Sequence, residues 1–237
     1  LEAAITPKTR LFMLNSPSNP TGAAYTSAEL HALGAVLRRH PDVLVATDDM
    51  YEHIYWAKEP FASFLTACPD LYGRTITING VSKSYAMTGW RIGYCGGPAT
   101  IVDAMSTIQS QSTSNPSSIA QKAAIVALNG DQACVAEMNN HFKARHDFFN
   151  AGLNALPGFR VLPAAGTFYA WCDVSGAIKN LGLADDHEFA EFLLDKALVA
   201  GVPGTGFGAP GHIRFSFAVS MQTLEKALDR MGKALRG

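Results

Sequence analysis

The sequence has 237 residues, 48% of them hydrophobic and 16% charged, which is enough to bury the core of one large or two modest globular domains. Its 19 basic and 20 acidic side chains give a formal net charge of -1, which argues against a nucleic-acid partner. No apolar run approaches the roughly 20 residues that a membrane-spanning helix requires, so we expect no membrane association. The four cysteines and seven histidines show neither CxxC nor zinc-type spacing, so we expect no metal site and a reducing compartment, the cytoplasm.

The first half of the chain alternates short β-branched runs with helical patterns. Its predicted strands are residues 11–14, 43–47, 75–79 and 91–96. Thr26 or Ser27 is expected to cap the first helix, which ends near Pro41, because hydroxyl side chains cap helices and proline stops them. Further helices are predicted at residues 99–110, 117–128 and 131–156. This order indicates βαβ units and a mainly parallel sheet.

Beyond the long helix, short strands separated by helices indicate a second, α+β domain. The predicted strands are residues 160–162, 167–174, 199–203 and 212–217. Helical apolar spacing marks one helix around residues 189–198 and another at residues 224–235. We therefore expect two domains, residues 1–131 and residues 132–237.

Polar side chains follow the first three predicted strands. Asn19 lies after the first strand, Asp48 and Asp49 follow the second with Tyr51 close behind, and Lys83 follows the third. Parallel α/β sheets bind ligands at the carboxyl ends of their strands. The alternatives are structural, since Asn19 can cap a turn and Asp48 a helix.

Lys83 is the centre of the functional hypothesis. A lysine at the end of a buried strand is usually a solvated charge, but a pocketed amine can attack a carbonyl and form a Schiff base. Arg91 follows eight residues later, and its planar fork of donors suits a phosphate. Pyridoxal 5′-phosphate is an aldehyde that carries a phosphate.

Four stretches together resemble the class I/II pyridoxal-phosphate-dependent aminotransferases of the aspartate aminotransferase type. They are Asn19-Pro20-Thr21-Gly22, Thr47-Asp48-Asp49-Met50-Tyr51, Ser82-Lys83 through Arg91, and Ile213-Arg214-Phe215-Ser216. The resemblance implies a fold-type I protein, with the large domain's mainly parallel sheet, incomplete here, and a smaller C-terminal α+β domain. Members carry a further N-terminal portion, which this sequence lacks.

The resemblance also implies a role for each matching residue. Lys83 is the catalytic residue and holds the cofactor. The other cofactor-binding residues implied are Asp48 at the ring nitrogen, Tyr51 and Asn19 at the ring oxygen, and Arg91 and Ser82 at the phosphate. Arg214 and Asn19 are the implied substrate-binding residues. Members often carry a hydroxyl at the position of Gly80, so this sequence either lacks that phosphate contact or makes it through backbone N–H.

The expected activity is transfer of an amino group between an L-amino acid, aspartate-like or of broad range, and a 2-oxo acid, with ping-pong kinetics and a homodimer implied by the family. Two alternatives stay open. One is a carbon–sulfur lyase or cyclopropane-forming synthase with the same cofactor residues. The other is an aminotransferase-like sensor domain of a transcription regulator, although no basic helix-turn-helix pattern is present.

Overall fold

The computed structural model describes residues 1–236, which form two compact units. Unit 1 contains residues 1–17 and 24–137, and unit 2 contains residues 18–23 and 138–236. The short segment Ser18–Ala23 therefore belongs to unit 2, although unit 1 residues flank it on both sides. The expected domain division after residue 131 stays a prediction.

Unit 1 contains a four-stranded sheet among the residues described. Its strands are β1 (Leu11–Asn15), β2 (Leu44–Asp48), β3 (Thr75–Gly80) and β4 (Gly93–Gly96), in the spatial order β1-β2-β3-β4. The first three are parallel, and β4 runs antiparallel to β3. The helices are α1 (Ser27–Arg38), α2 (Phe64–Ala67), α3 (Ala99–Ser112) and α4 (Ser118–Asn129). The long α5 (Ala133–Asn154) begins in unit 1 and ends in unit 2.

Helix α1 shows how the local sequence sets the fold. Thr26 is its N-cap: its hydroxyl accepts from the Glu29 N–H, and the Glu29 carboxylate accepts from the Thr26 N–H. This reciprocal capping box satisfies two backbone donors and settles the choice between Thr26 and Ser27. The apolar face of α1 packs with α2 on β1 and β2. The buried cluster contains Leu14, Leu30, Leu37, Val43, Val45, Phe64, Ala67, Cys68 and Leu71.

Two parts of unit 1 differ from the sequence-based expectation. Strand β4 begins at Gly93 rather than at residue 91, because Arg91 has φ 51° and ψ 51°, a left-handed conformation outside the extended region of a regular strand. The short helix α2 and the 3₁₀ segment Pro69–Arg74 were not predicted. They occupy the connection between β2 and β3, where Ser63 caps α2 through its hydroxyl.

Unit 2 contains an antiparallel four-stranded sheet among its described residues. Its strands are β5 (Arg160–Val161), β6 (Tyr169–Asp173), β7 (Val202–Pro203) and β8 (His212–Ser216), in the spatial order β5-β6-β8-β7. Its further helices are α6 (Ser175–Leu181), α7 (Asp186–Phe192) and α8 (Met221–Ala234), and a wider helical turn, Leu193–Ala197, continues α7. Helix α6 was not predicted, and all four strands of this sheet are shorter than expected.

The two faces of this sheet have different characters, because side chains alternate along each strand. One face of β6 and β8 carries the buried Ala170, Cys172, Ile213 and Phe215. Phe215 lies edge-on to Phe149 of α5, with ring centroids 6.2 Å apart. The opposite face carries the polar and aromatic residues of β6 and β8, including Arg214.

Candidate functional site

The parallel strands of unit 1 end at the same edge of the sheet. Asp48 is the last residue of β2, and Tyr51 follows it by three positions. Lys83 follows the end of β3 by three positions. Because β4 is antiparallel and pairs Gly93 with Gly80, the residues just before β4, including Arg91, return to that edge. Unit 1 thus brings the predicted carboxylate, phenol, amine and guanidinium to one edge of one sheet.

Asp48 is held at this edge by its neighbours in the sheet. It pairs with Asn15 of β1, whose side-chain amide donates to the Asp48 carbonyl at 3.0 Å. The Met50 N–H donates to Asp48 Oδ1 at 3.2 Å, which fixes the carboxylate against its own turn. Asp48 is half-buried, whereas Tyr51 is only 4% exposed. The carboxylate is therefore anchored while keeping a surface for a further partner.

The neighbouring acid, Asp49, occupies a different environment. It is 3% exposed, and its Oδ1 accepts from the Thr47 hydroxyl at 2.6 Å. Burial raises the pKa of the Asp49 carboxyl to about 6, against the lowering effect of the Thr47 hydrogen bond, and the charges of Glu52 and Asp48 add to the rise. Asp49 is thus an interior carboxyl, and Asp48 is the better candidate for pairing with a ligand.

The segment between Lys83 and Arg91 is a series of tight turns. The Ala86 N–H donates to the Lys83 carbonyl at 3.1 Å, and Ala86 and Arg91 have φ of 52° and 51°. Residues other than glycine rarely adopt this left-handed conformation, and such residues concentrate at functional sites. Ser82 and Lys83 are half-buried, while Arg91 is exposed and donates to the Thr88 carbonyl at 2.9 Å.

Gly80 stands where the family resemblance described above implies a hydroxyl in many members. Its N–H donates to Asn79 Oδ1 at 2.7 Å. This donor is therefore engaged within the chain, so the Gly80 N–H does not replace the missing hydroxyl toward a phosphate. The remaining candidates for that contact in this segment are Ser82 and Arg91.

In unit 2, Arg214 lies in the middle of β8 and is surrounded by an amide and two aromatic rings. Its Nη1 donates to Asn19 Oδ1 at 2.7 Å. Its guanidinium carbon lies 4.4 Å from the ring centroid of Tyr169 and 5.0 Å from that of Phe207. Rings at these distances attract the cation and restrict its side chain. Asn19 and Arg214 were predicted from the sequence as site residues, whereas Tyr169 and Phe207 were not.

Asn19 reaches Arg214 because its turn is fastened to a loop of unit 2. The N–H groups of Ala165 and Gly166 donate to the Gly22 carbonyl at 2.9 and 3.1 Å. Gly22 has φ 67°, and a Cβ there would lie 2.5 Å from Ala164 Cβ. Only glycine fits both the backbone conformation and this close approach. The turn signal in the sequence was correct, but its partner lies more than 140 residues further along the chain.

A family model supports the resemblance independently. The model for aminotransferase class I and II matches residues 1–231. The chain belongs to this aminotransferase family. The aspartate/prephenate aminotransferase of Nitrosomonas europaea is 55% identical over 99% of the chain. The aspartate aminotransferase of Rhizobium meliloti is 46% identical, also over 99%.

Solved structures of aminotransferases share this fold. The aspartate aminotransferase from Rhizobium meliloti superposes with a TM-score of 0.92 at 46% identity, covering 99% of this chain and 60% of that structure. An aromatic aminotransferase from Pyrococcus horikoshii gives 0.90 at 34% identity, with coverages of 99% and 62%. These matches confirm the expected α/β, fold-type I class. The chain spans 61% and 58% of the two curated relatives named above.

The side chains at the sheet edge fit the aminotransferase cofactor, pyridoxal 5′-phosphate. The half-buried Lys83 can bond to its aldehyde, Asp48 can pair with a ring nitrogen, and Arg91 can pair with a phosphate. By contrast, residues 1–236 contain no group of three or more His, Cys, Asp or Glu side chains arranged to hold a metal ion. Within the same residues, no helix has both the length and the apolar character needed to cross a bilayer.

Proposed function

We propose that the complete protein is a pyridoxal-phosphate-dependent aminotransferase that moves an amino group between an L-amino acid and a 2-oxo acid by a ping-pong mechanism. The observation that carries this proposal is the convergence of Lys83, Asp48 and Arg91 on the carboxyl edge of the unit 1 sheet. Relatives at 46–55% identity are named as aminotransferases, which favours this reading over a lyase, a synthase or a sensor domain.

Each residue at the sheet edge has a distinct task in this proposal. When bound, the cofactor supplies an electron sink for the bond broken at the substrate's α-carbon. Lys83 holds the cofactor through its amine and then carries a proton to and from the substrate as general base and acid. Asp48 keeps the ring nitrogen protonated by charge pairing. Tyr51 donates to the ring oxygen, and Arg91 with Ser82 binds the phosphate.

Arg214 and Asn19 are the proposed substrate-binding residues. A guanidinium can bind the α-carboxylate of an amino acid with two parallel hydrogen bonds. The Asn19 amide oxygen accepts from Nη1, which leaves other N–H groups of the guanidinium to bind a carboxylate. We also assign the side-chain NH₂ of Asn19 a separate role, as a donor to the ring oxygen of the cofactor.

The substrates are proposed by likeness to the named relatives. Aspartate is the proposed amino donor, because both curated relatives above are named for it. Prephenate is one candidate acceptor, because the 55% identical relative is named for that acid as well. A homodimer is proposed from the family, and a cytoplasmic location from the scattered cysteines.

Labelling Lys83 tests the proposal directly. The complete protein, saturated with pyridoxal phosphate and reduced with borohydride, should carry the cofactor on Lys83 in a peptide map. Lys83→Ala should remove the label and lower kcat by about 10⁴-fold, since it deletes both the covalent anchor and the general base. Lys122 is an exposed lysine of α4, so Lys122→Ala is the matched control and should change neither the label on Lys83 nor kcat. A label on another lysine would contradict the assignment.

Transfer of a labelled amino group separates an aminotransferase from the alternatives. Incubation with ¹⁵N-aspartate and an unlabelled 2-oxo acid should give the ¹⁵N-labelled amino acid derived from that oxo acid. A lyase would release labelled ammonia instead, and a sensor domain would bind the substrate with little turnover. Comparing 2-oxoglutarate and prephenate as acceptors then measures the preference between them.

A further inference from the structure

The first residue of α7 is a carboxylate buried far from the candidate catalytic residues in the sequence. Asp186 is 0% exposed. Its Oδ2 accepts from the Thr205 N–H, and its Oδ1 accepts from the Thr205 hydroxyl, both at 2.7 Å. Burial alone would raise the pKa of this carboxyl, but the hydrogen bonds from Thr205 and from the Gly211 backbone hold it below the ordinary value. A buried carboxylate of this kind persists only where its donors compensate for lost hydration.

Both donors from Thr205 belong to the short 3₁₀ segment Gly204–Phe207. This segment closes on itself, because the Gly208 N–H donates to the Thr205 carbonyl and the Ala209 N–H to the Gly204 carbonyl, each at 3.0 Å. A tightly hydrogen-bonded turn moves as a unit. The position of Thr205, fixed by Asp186, therefore sets the position of Phe207 two residues later.

Phe207 connects this segment to the proposed carboxylate-binding residue. Its ring lies edge-on to Trp171, with centroids 5.7 Å apart and planes at 89°. Its centroid is 5.0 Å from the guanidinium carbon of Arg214, while Tyr169 lies 4.4 Å from that carbon. Arg214 is thus oriented by two rings and by Asn19. Of these three partners, Phe207 is the one that lies in the segment bonded to Asp186 through Thr205.

We propose that Asp186 is a positioning residue for the Arg214 guanidinium, acting through Thr205 and the ring of Phe207. The inference rests on the proposed role of Arg214 as the residue that binds the substrate carboxylate. It assigns a function to a carboxylate on α7, whereas Arg214 lies on strand β8. It also explains why a charge is buried at the start of α7, where the exposed Asp185 already caps the helix by accepting from the His187 and Glu188 N–H groups.

The test compares two adjacent aspartates of the complete, cofactor-saturated protein. Asp186→Asn keeps the volume but leaves one oxygen to accept from two Thr205 donors. We expect this variant to raise KM for the amino acid about tenfold with kcat changed less than about twofold, as a misplaced binding group would do. Asp185→Asn removes a charge one residue away and keeps a good N-cap, so it should leave both constants unchanged.

Two further variants keep the test independent of a folding defect. Thr205→Val removes only the hydroxyl donor and should also raise KM. Thr205→Ser keeps a hydroxyl, so its KM should stay close to that of the parent protein. Hydrogen exchange of the peptide 203–208, measured without substrate, should speed up in Asp186→Asn and Thr205→Val but not in Asp185→Asn. Faster exchange with an unchanged KM would show a purely structural role and overturn the inference. A result in which neither the exchange rate nor KM changes would overturn it as well.

Arg214→Ala separates this inference from the proposed function. If Arg214→Ala leaves KM unchanged, the assignment of the carboxylate-binding residue fails and the positioning role fails with it. If Arg214→Ala raises KM and Asp186→Asn does not, only the positioning role fails. The expected pattern is a large rise for Arg214→Ala and a smaller rise for Asp186→Asn.

Discussion

The two adjacent acids at the end of β2 show how strongly a shift of one residue changes the environment of a side chain. Asp48 is half-buried and keeps a surface for a partner, whereas Asp49 is enclosed with Thr47. Successive residues at a strand end point in different directions, so one acid can serve a site while the next lies in the interior. The interior acid carries the cost of burying a charge near neutral pH.

Asp49 should therefore make the protein less stable as the pH rises. The folded-state pKa of about 6 lies above the ordinary value of 3.8, so the folded state binds the proton more tightly than the unfolded state. Stability is then lost as the pH rises through this window. Urea unfolding should test this. We expect the free energy of unfolding of Asp49→Asn, relative to that of the parent protein, to rise by about 2 kcal/mol between about pH 4.5 and 7.5.

A surface variant serves as the control for this titration. Asp103→Asn removes an exposed carboxylate from α3 and should show little pH-dependent difference from the parent. An advantage of Asp49→Asn that is equal at both pH values would contradict the account. Such a result would mean that shape, rather than protonation, decides the effect of the substitution.

Some site residues could be predicted from the sequence, and others could not. Lys83, Asp48 and Arg91 lie in local stretches whose turn residues and strand ends are visible in the sequence. The neighbours Tyr169 and Phe207 could not be predicted, because they reach Arg214 through pairing of β6 with β8 and through a turn anchored on α7. Contacts between distant segments leave no periodic signal in a single sequence.

At the scale of the elements, the close contact between α1 and the end of α2 depends on a glycine, Gly34, which has no side chain. Gly34 is buried in α1. A Cβ added at Gly34 would clash with Cys68 Sγ, although it would lie an acceptable 3.5 Å from Cys68 Cβ. Cys68 is itself fully buried, with its thiol near the Leu30 carbonyl at 3.6 Å. The helices approach closely because one side supplies no side chain and the other supplies a small one.

Adding a methyl group at Gly34 should separate these helices. We expect Gly34→Ala to lower the free energy of unfolding by about 1–3 kcal/mol through overpacking. The double variant Gly34→Ala/Cys68→Ala should recover part of this loss, because its two methyl groups fit. Gly73→Ala, where an added Cβ meets no atom within 4 Å, is the matched control. Additive losses in a double-mutant cycle would argue against direct contact.

The predicted elements were most accurate where the periodicity was long and the ends were marked. Thr26 or Ser27 was expected to cap helix α1, and the capping box shows that Thr26 is the cap. Helix α6 was missed because its seven residues are too few to show a periodic pattern. Strand β4 was placed two residues early because the conformation of Arg91 depends on the turn around it, not on its own side chain.

At the scale of the whole molecule, apolar side chains on α3 and α4 are unusually exposed. Ile108 of α3 and Ile119 and Val126 of α4 are 71%, 71% and 72% exposed. None of the residues of α3, all of which the structure describes, is buried. Exposed apolar surface of this kind usually marks a place where other protein surface packs.

We expect the 237-residue chain, produced by itself, to bind the hydrophobic dye 8-anilinonaphthalene-1-sulfonate. Replacing Ile108, Ile119 and Val126 with Gln should reduce the dye fluorescence at least about twofold, because apolar area is removed from the surface. Leu162→Gln, a similarly exposed residue of unit 2, is the control and should have a smaller effect. Absence of dye binding by the parent chain would contradict the prediction.

The path of the backbone between the units has a practical consequence for anyone who tries to dissect this protein. The polypeptide changes unit after Pro17, again after Ala23, and a third time within α5 after Glu137. A single protease nick at any one of these crossings would leave the two units still joined by backbone at the other two. A clone of residues 138–236 would also omit the hexapeptide that brings Asn19 to Arg214, so studying the C-terminal half in isolation requires that hexapeptide to be grafted back.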